Sequence, residues 1–510
     1  MMREDEKKAS DIDHVEVHEV LRNDSIHVAG EGDKELLRED EFSDKEYHRL
    51  RWKVDLIIMP LLMILYGLQY ADKTSLSRGV IFGLKKDTGL GDAEYPNLTT
   101  FFYMSYAVAQ YPMAWVLQRF PIGRALGTCV IVWGGLVMAL AGCNNYASLA
   151  VVRVLLGWFE SVVTPGFAIF TASWYLRREQ TLRQSMYYAM NSCFGMIFGV
   201  GIYYLALNAQ RNGGLAAWRV INVFLGGLTI GMGIIFVIMG GGPDEVWWLS
   251  KREKRMAKAR IVSNATGGGE QHPWRWEQVR ECFRDPQWWF SVGFNLLGCV
   301  YNGALTTFDS LIYESFGFTN LEVILFSMPT YGLTFVMIIT MGFVVYLCPR
   351  LRFPIALVSQ TIVAFVLLFV GLANVGKWAK WAVFMWSLMD TIASFVMAWP
   401  IISVNVAGRT KKSFFGASSL VSYCIGNLVG AQIMRPNDAP RYTKGLTAAA
   451  VILIGNLVLT ANWWWYYVRE NRKRRAENEG MSDEEIIKQS EINGLMDLTD
   501  RQNRQFMYLC

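Results

Sequence analysis

The stretch Tyr66-Gly67-Leu68-Gln69-Tyr70-Ala71-Asp72-Lys73-Thr74-Ser75-Leu76-Ser77-Arg78 continues, without a turn signal, from the apolar run Val54–Leu65. Read as one helix, Tyr66, Tyr70, Lys73 and Ser77 share a face by the i, i+4, i+7, i+11 spacing, with Gln69 and Asp72 beside it. The acid and the base admit two readings. Either they end a span at the outer boundary, since about 1.5 Å of rise per residue crosses roughly 30 Å of hydrocarbon near Asp72, or they form a site inside the bilayer. Apolar residues resume at Val80-Ile81-Phe82, so the helix extends beyond the pair, and ionisable residues within a span are a functional site by default.

Working outward, the 510 residues are 52% hydrophobic and 14% aromatic, with a mean hydropathy of +0.21, which places the chain among polytopic membrane proteins. Twelve apolar segments recur, at 54–82, 97–117, 125–143, 148–171, 186–208 and 218–240, then at 287–308, 321–347, 353–373, 379–404, 413–433 and 445–467. The expected fold is an all-α membrane protein of twelve transmembrane helices in two pseudo-symmetric six-helix halves, a plan typical of secondary transporters. The expected divisions are a disordered tail 1–52, a first half 53–240, a central loop 241–286, a second half 287–468 and a tail 469–510. Residues 1–52 are charged and contain no uncharged apolar h-region, so they read as a tail and not as a signal peptide. Lys and Arg concentrate on the loops that share a side with the termini, which puts both termini in the cytoplasm. The run Arg472-Lys473-Arg474-Arg475 after Trp463-Trp464-Trp465 reads as an anchor on anionic membrane lipid, not as a nucleic-acid site.

Several classes are excluded. The eight cysteines occur singly, with no CxxC and no Cys/His pairing, so neither a metal site nor a disulfide framework is expected. No GxxxxGK[ST] loop supports ATP-driven pumping, and no nucleophile elbow or metal-binding helix supports an enzyme.

Glu160 lies mid-way along the fourth segment, on one face with Gly157 and Thr164 and with Arg153 nearer one end. A carboxylate at that depth is either paired or protonated. It therefore serves proton coupling, or it is a structural partner of Arg153. Asp390, inside the tenth segment, shapes specificity, answers a cation across the cavity, or bonds a neighbouring Ser or Thr. Asn295, Asn302 and Asn427 either donate to a substrate or join helices. Arg78 either forks onto a carboxylate or sulfonate or snorkels to the outer interface. Gly195, Gly199, Gly201, Gly416, Gly426 and Gly430 stand at helix-packing spacing.

The sequence resembles the major facilitator superfamily, and within it the fungal allantoate permease family of the anion:cation symporters. The resemblance rests on Tyr70-Ala71-Asp72-Lys73 with Phe82-Gly83-Leu84-Lys85-Lys86-Asp87-Thr88-Gly89-Leu90, on Gln118-Arg119-Phe120-Pro121-Ile122-Gly123-Arg124, and on Arg153…Gly157…Glu160…Pro165-Gly166. Its most diagnostic block is Asn405-Val406-Ala407-Gly408-Arg409-Thr410-Lys411-Lys412-Ser413, followed by Gly426-Asn427. The resemblance implies a proton-coupled symporter of the plasma membrane, importing a small organic anion (allantoate- or ureidosuccinate-like, a carboxylate, a sulfonate or a vitamin) by alternating access. It implies proton coupling at Asp72 and Glu160, with Lys73 linking substrate to proton. The substrate-binding set expected is Lys73, Tyr70, Arg78, Asn295, Asn302 and Asn427, while Arg119, Arg124, Arg153, Gly157, Pro165 and Gly166 belong to gating or structural motifs. Protonation of Asp72 is expected to end its competition for Lys73. The proton is the coupling ion, no cofactor is expected, and one chain forms the carrier. The alternatives are a proton-driven exporter of the same superfamily and a non-transporting nutrient sensor.

Overall fold

A computed structural model of the chain describes residues 42–262, 275–435, 438–439, 441–482, 485–486, 489–490, 493 and 498–510, and the regular elements among these are helices. The first six apolar segments become α1 (Asp44–Ile81), followed by a short α2 (Leu84–Thr88), then α3 (Glu94–Arg119), α4 (Ile122–Leu140), α5 (Tyr146–Glu160) with α6 (Val163–Ala172), α7 (Arg177–Asn212) and α8 (Ala217–Met239). The central loop carries α9 (Lys251–Val262) and α10 (Trp276–Arg284). Then come α11 (Pro286–Ser315), α12 (Asn320–Leu347), α13 (Arg352–Leu372), α14 (Lys377–Phe384) with α15 (Asp390–Asn405), α16 (Arg409–Ile433) and α17 (Thr443–Glu477). Among the described residues, nine spans are long and apolar enough by themselves to cross a membrane. The remaining apolar segments fall on α3 and α11, which carry Asn, Gln and Thr side chains, and on the interrupted pair α14–α15.

Two segments expected to be continuous are broken, each beside a candidate acid. Pro165 has no N–H, and its ring clashes with the carbonyl four residues earlier, so α5 stops at Glu160 and α6 starts at Val163. Between α14 and α15 the chain tightens into a 3₁₀ turn at Ser387–Met389, where the Tyr301 hydroxyl donates to the Ser387 carbonyl. Asp390 therefore opens α15 instead of lying within an unbroken helix.

Helix pairings in the first six spans recur six spans later. α1 packs on α7 and α8, α4 on α8, and α3 on α5; correspondingly α11 packs on α16 and α17, α13 on α17, and α12 on α15. Glycine makes the closest of these contacts. A Cβ at Gly430 would stand 2.1 Å from the Val300 carbonyl oxygen, and one at Gly303 would stand 2.3 Å from that of Asn427. Gly195 and Gly199 receive the Tyr331 ring and Met328, where α7 meets α12 across the two sets of helices.

The two sets also meet through α3 and α16 and through α1 and α11. At the end away from the termini they are tied by hydrogen bonds. The Ser310 N–H donates to Ser77 Oγ (3.2 Å), and Gln432 Nε2 donates to Asn97 Oδ1 (3.0 Å) and Thr100 Oγ1 (2.7 Å). Asn320 Nδ2 donates to the Ile81 carbonyl, and the Tyr95 hydroxyl donates to that of Thr307.

Both expected tails require correction. Residues 44–52 are helical: Ser43 and Glu46 form a reciprocal capping box, and Leu50 is already buried. The central loop is not a bare connection. α9 rides on the first set, with Lys53 Nζ 2.9 Å from Glu253 and Arg260 paired to Glu179, while α10 joins the second, with Glu281 2.9 Å from Lys411 Nζ. The Gly267-Gly268-Gly269 linker and residues 1–41 lie outside the described residues. At the other terminus α17 continues to Glu477, and residues 498–510 return to pack on α17. Arg474, expected at lipid, is buried and donates to the Phe506 carbonyl; Trp463 is core, and only Trp465 of the tryptophan triplet is well exposed.

Gly430→Ala should destabilise the protein by about 1–3 kcal/mol or more, because backbone oxygen has no rotamer by which to yield. Gly227→Ala, with nothing within 4 Å of its Cβ, should not destabilise it. Unfolding midpoints of the two variants in one detergent check the contrast.

Candidate functional site

Successive residues of a helix point about 100° apart, so Asp72 and Lys73 leave α1 in different directions and meet different partners. Asp72 is buried against the first set of helices, where Trp133 Nε1 on α4 donates to its Oδ2 at 3.0 Å. Lys73 turns toward the interior, with its Nζ 3.1 Å from Glu160 Oε1 and 5.7 Å from the Tyr106 ring centroid. The expected competition is therefore reassigned. Glu160, not Asp72, holds Lys73, while Asp72 accepts from Trp133.

Local sequence explains why Glu160 is available. It is the last residue of α5, at the break enforced by Pro165, and it is fully buried. Gly157, one turn earlier, lets the α3 backbone press in, since a Cβ there would stand 2.2 Å from the Phe102 carbonyl oxygen. That approach brings Tyr106 beside Lys73, and its hydroxyl lies 3.3 Å from Thr164 Oγ1. Gly166 accommodates Leu126 of α4 on the far side of the break. The Lys73–Glu160 contact is a charge contact, with no aligned hydrogen bond to either Glu160 oxygen among the described residues.

Arg153, two turns before Glu160, is buried, and its Nε and Nη2 have no hydrogen-bond acceptor among the described residues. Lys73 and Arg153 line one cleft together with Thr99, Phe102 and Tyr103 of α3 and Thr306 and Thr307 of α11. Two cations, two acids and several hydroxyls thus converge where the two sets of helices meet. Such a group can exchange an internal carboxylate for an external anion.

The other expected residues divide. Tyr70 reaches across to Tyr331 on α12, ring edge to face at 6.0 Å. Arg78 does not snorkel; it is buried, and it is the cation facing Asp309 of α11. Its neighbour Ser77 accepts the bond from Ser310, so residues 77–78 and 309–310 adjoin across the closed end. Asn295 and Asn427 donate back to the Ser291 and Tyr423 carbonyls of their own helices (2.9 and 2.8 Å). Asn427 is fully buried at the α11–α16 contact, where its backbone meets Gly303. Asn302 is half-buried on α11, near Thr306. Asp390 is buried beside Asn456 around Gly298, away from the Lys73–Arg153 cleft. Arg119 and Arg124 are exposed at the termini-bearing end, outside the site.

Sequence reasoning missed Asp309 because the seventh apolar segment was ended at 308, one residue short, whereas α11 runs on to Ser315 with Ser310, Ile312 and Tyr313 buried. Asp309 thus stands with Asp390 as an acid inside the second set. Thr99, Thr306 and Thr307 carried no signal of their own.

The family model described as Major Facilitator Superfamily matches residues 62–431. An uncharacterized transporter of Schizosaccharomyces pombe is 34% identical, covering 97% of this chain and 94% of its own. The allantoate permease of Saccharomyces cerevisiae is 31% identical, covering 93% and 88%. Among solved structures, a bacterial homolog to the human lysosomal transporter Spinster, inward-facing and unoccupied, superposes with a TM-score of 0.57 at 17% identity, covering 82% of this chain and 96% of that one.

Breaking a buried ion pair from one side leaves a charge stranded, so Lys73→Met or Glu160→Gln alone should each destabilise by about 3–5 kcal/mol. The double variant should recover most of that loss. Unfolding of the three variants in detergent provides the cycle.

Proposed function

The chain belongs to the major facilitator superfamily, and on that premise we propose that this membrane transporter is a proton-coupled symporter, importing a small organic anion across the plasma membrane with both termini in the cytoplasm. One observation carries the reading. Lys73, paired with the buried Glu160, shares a cleft with Arg153, which presents N–H groups that lack an acceptor among the described residues.

In the proposed cycle a proton on Glu160 releases Lys73, and a proton on Asp72 relaxes its hold on Arg153. The freed ammonium and guanidinium then receive the anion, with the Thr99, Thr306 and Thr307 hydroxyls alongside. On the opposite wall Arg78 faces Asp309 while that end is closed. As the halves part, Arg78 loses Asp309 and meets the entering anion.

Two acids suit the energetics better than one. Importing a monoanion alone against a cell-negative potential costs about 2.3 kcal/mol per 100 mV. One proton cancels that cost. A second makes the step inwardly driven, and each proton adds about 1.4 kcal/mol per unit of pH gradient. The similarity to allantoate permease supports a carboxylate of that size as the first substrate to try.

Uptake of labelled allantoate, followed by a panel of carboxylates, into proteoliposomes tests the proposal. Accumulation should rise several-fold when the external pH falls by about two units. Glu160→Gln should abolish that stimulation, and Arg153→Gln should raise KM about 10–100-fold through loss of a charge-assisted bond. Accumulation indifferent to pH would remove the proton from the mechanism, and net extrusion would make the carrier an exporter.

A further inference from the structure

The C-terminal segment 498–510 takes no part in the chemistry above, yet its Thr499, Asp500, Asn503 and Tyr508 side chains are buried and engaged. Asp500 Oδ1 lies 2.9 Å from Lys411 Nζ at the start of α16, and both side chains are wholly buried. The same ammonium takes Glu281 of α10 at 2.9 Å and Asp285, the cap of α11, at 2.6 Å. Thr499 Oγ1 donates to Glu281 Oε2 (2.9 Å), and the Ala407 N–H donates to Asp500 Oδ1 (3.3 Å).

The last residues are held as firmly. The Tyr508 ring stacks on Tyr467 with centroids 4.7 Å apart, under the Arg474 guanidinium at 4.4 Å, and its hydroxyl donates to Asp500 Oδ2 at 2.7 Å. Asn405, the last residue of α15, uses its amide twice. It donates to the Leu509 carbonyl (3.0 Å) and accepts the Leu509 N–H (2.9 Å). Asn471 does the same for Tyr508, at 2.7 and 2.9 Å. Between Asn405 and Lys411, Gly408 adopts φ +91°, and a Cβ there would press on Thr499 Cγ2 and Gln278 Oε1 at 3.0 Å. The corner between α15 and α16 is shaped around the segment.

Five parts of the second set therefore meet on thirteen residues: α10, the end of α15, the α15–α16 corner, the start of α16 and the end of α17, with the cap of α11 joined to them through Lys411. α15 needs such a tie. Its other end is cut from α14 by the 3₁₀ turn at Ser387–Met389, so continuity of the helix does not position the corner. We propose that residues 498–510 are an intramolecular strap, with Lys411 as its socket, that makes the α15–α16 corner move as one body with α10 and α17, and that turnover of the carrier depends on the strap being docked.

The test compares the full chain with a chain shortened to residue 497 and with Asp500→Asn/Tyr508→Ala, each purified in detergent and reconstituted at equal amounts. Amide hydrogen exchange over 405–411 should quicken roughly tenfold or more in both variants while α1 and α3 keep their protection, because only the strapped corner opens. A synthetic peptide of residues 498–510, added to the shortened chain, should restore protection. Uptake of labelled allantoate per reconstituted carrier should fall several-fold in the variants. Unchanged exchange at 405–411 would overturn the strap. So would exchange that rises uniformly along the double variant, which would make the segment a general folding element, and so would unchanged turnover despite an opened corner. The exchange readout does not depend on the substrate or the coupling ion, so its failure and failure of the symport reading are distinguishable.

Discussion

An ammonium and a carboxylate 3.1 Å apart in the interior of a membrane protein form the constraint on which the rest of this structure depends. Taking both groups out of water costs several kcal/mol each, and their attraction offsets that only when they are held closely. The chain holds them through backbone devices. Pro165 ends α5 at Glu160, and Gly157 removes the side chain that would keep α3 away. The ring of Tyr106 then covers the ammonium. A second acid and a second base, the buried Asp72 and Arg153, lie on the same two helices, α1 and α5, as the first pair.

That arrangement sets what the site can do. Glu160 holds Lys73, and a proton on that carboxyl would leave the ammonium without its partner. The cleft is lined by both helix sets, with Thr306 and Thr307 from α11 alongside Lys73 and Arg153. The hydrogen bonds at Ser77, Asn97 and Ile81 close the end away from the termini, where Arg78 and Asp309 adjoin.

Elsewhere the molecule divides into parts that are stiff and parts that can separate. Glycines bring α11 and α16 into backbone contact, an arrangement with no slack. The central loop contributes one helix to each side, α9 fastened by Lys53 and Arg260 and α10 by Lys411. The C-terminal segment fastens only to the second set in the bonds described here.

Much of this was legible in the residues alone. Apolar runs of spanning length report on local helix formation in lipid, because an unpaired backbone there has no water to turn to; hence the helices, the marked positions Asp72, Lys73 and Glu160, and the membership suggested by the glycine and arginine motifs. Which charge meets which was not legible. Neighbours in sequence diverge by about 100° on a helix, so Asp72 and Lys73 found partners on α4 and α5, and only the packing of those helices could assign them. Asp309 fell one residue beyond a segment drawn by hydropathy, and it became visible once Ser310 was seen bonded to Ser77. Residues 498–510 read as part of a tail for the same reason: composition records that Asp500 and Lys411 are charged, but only the tertiary fold brings them to 2.9 Å.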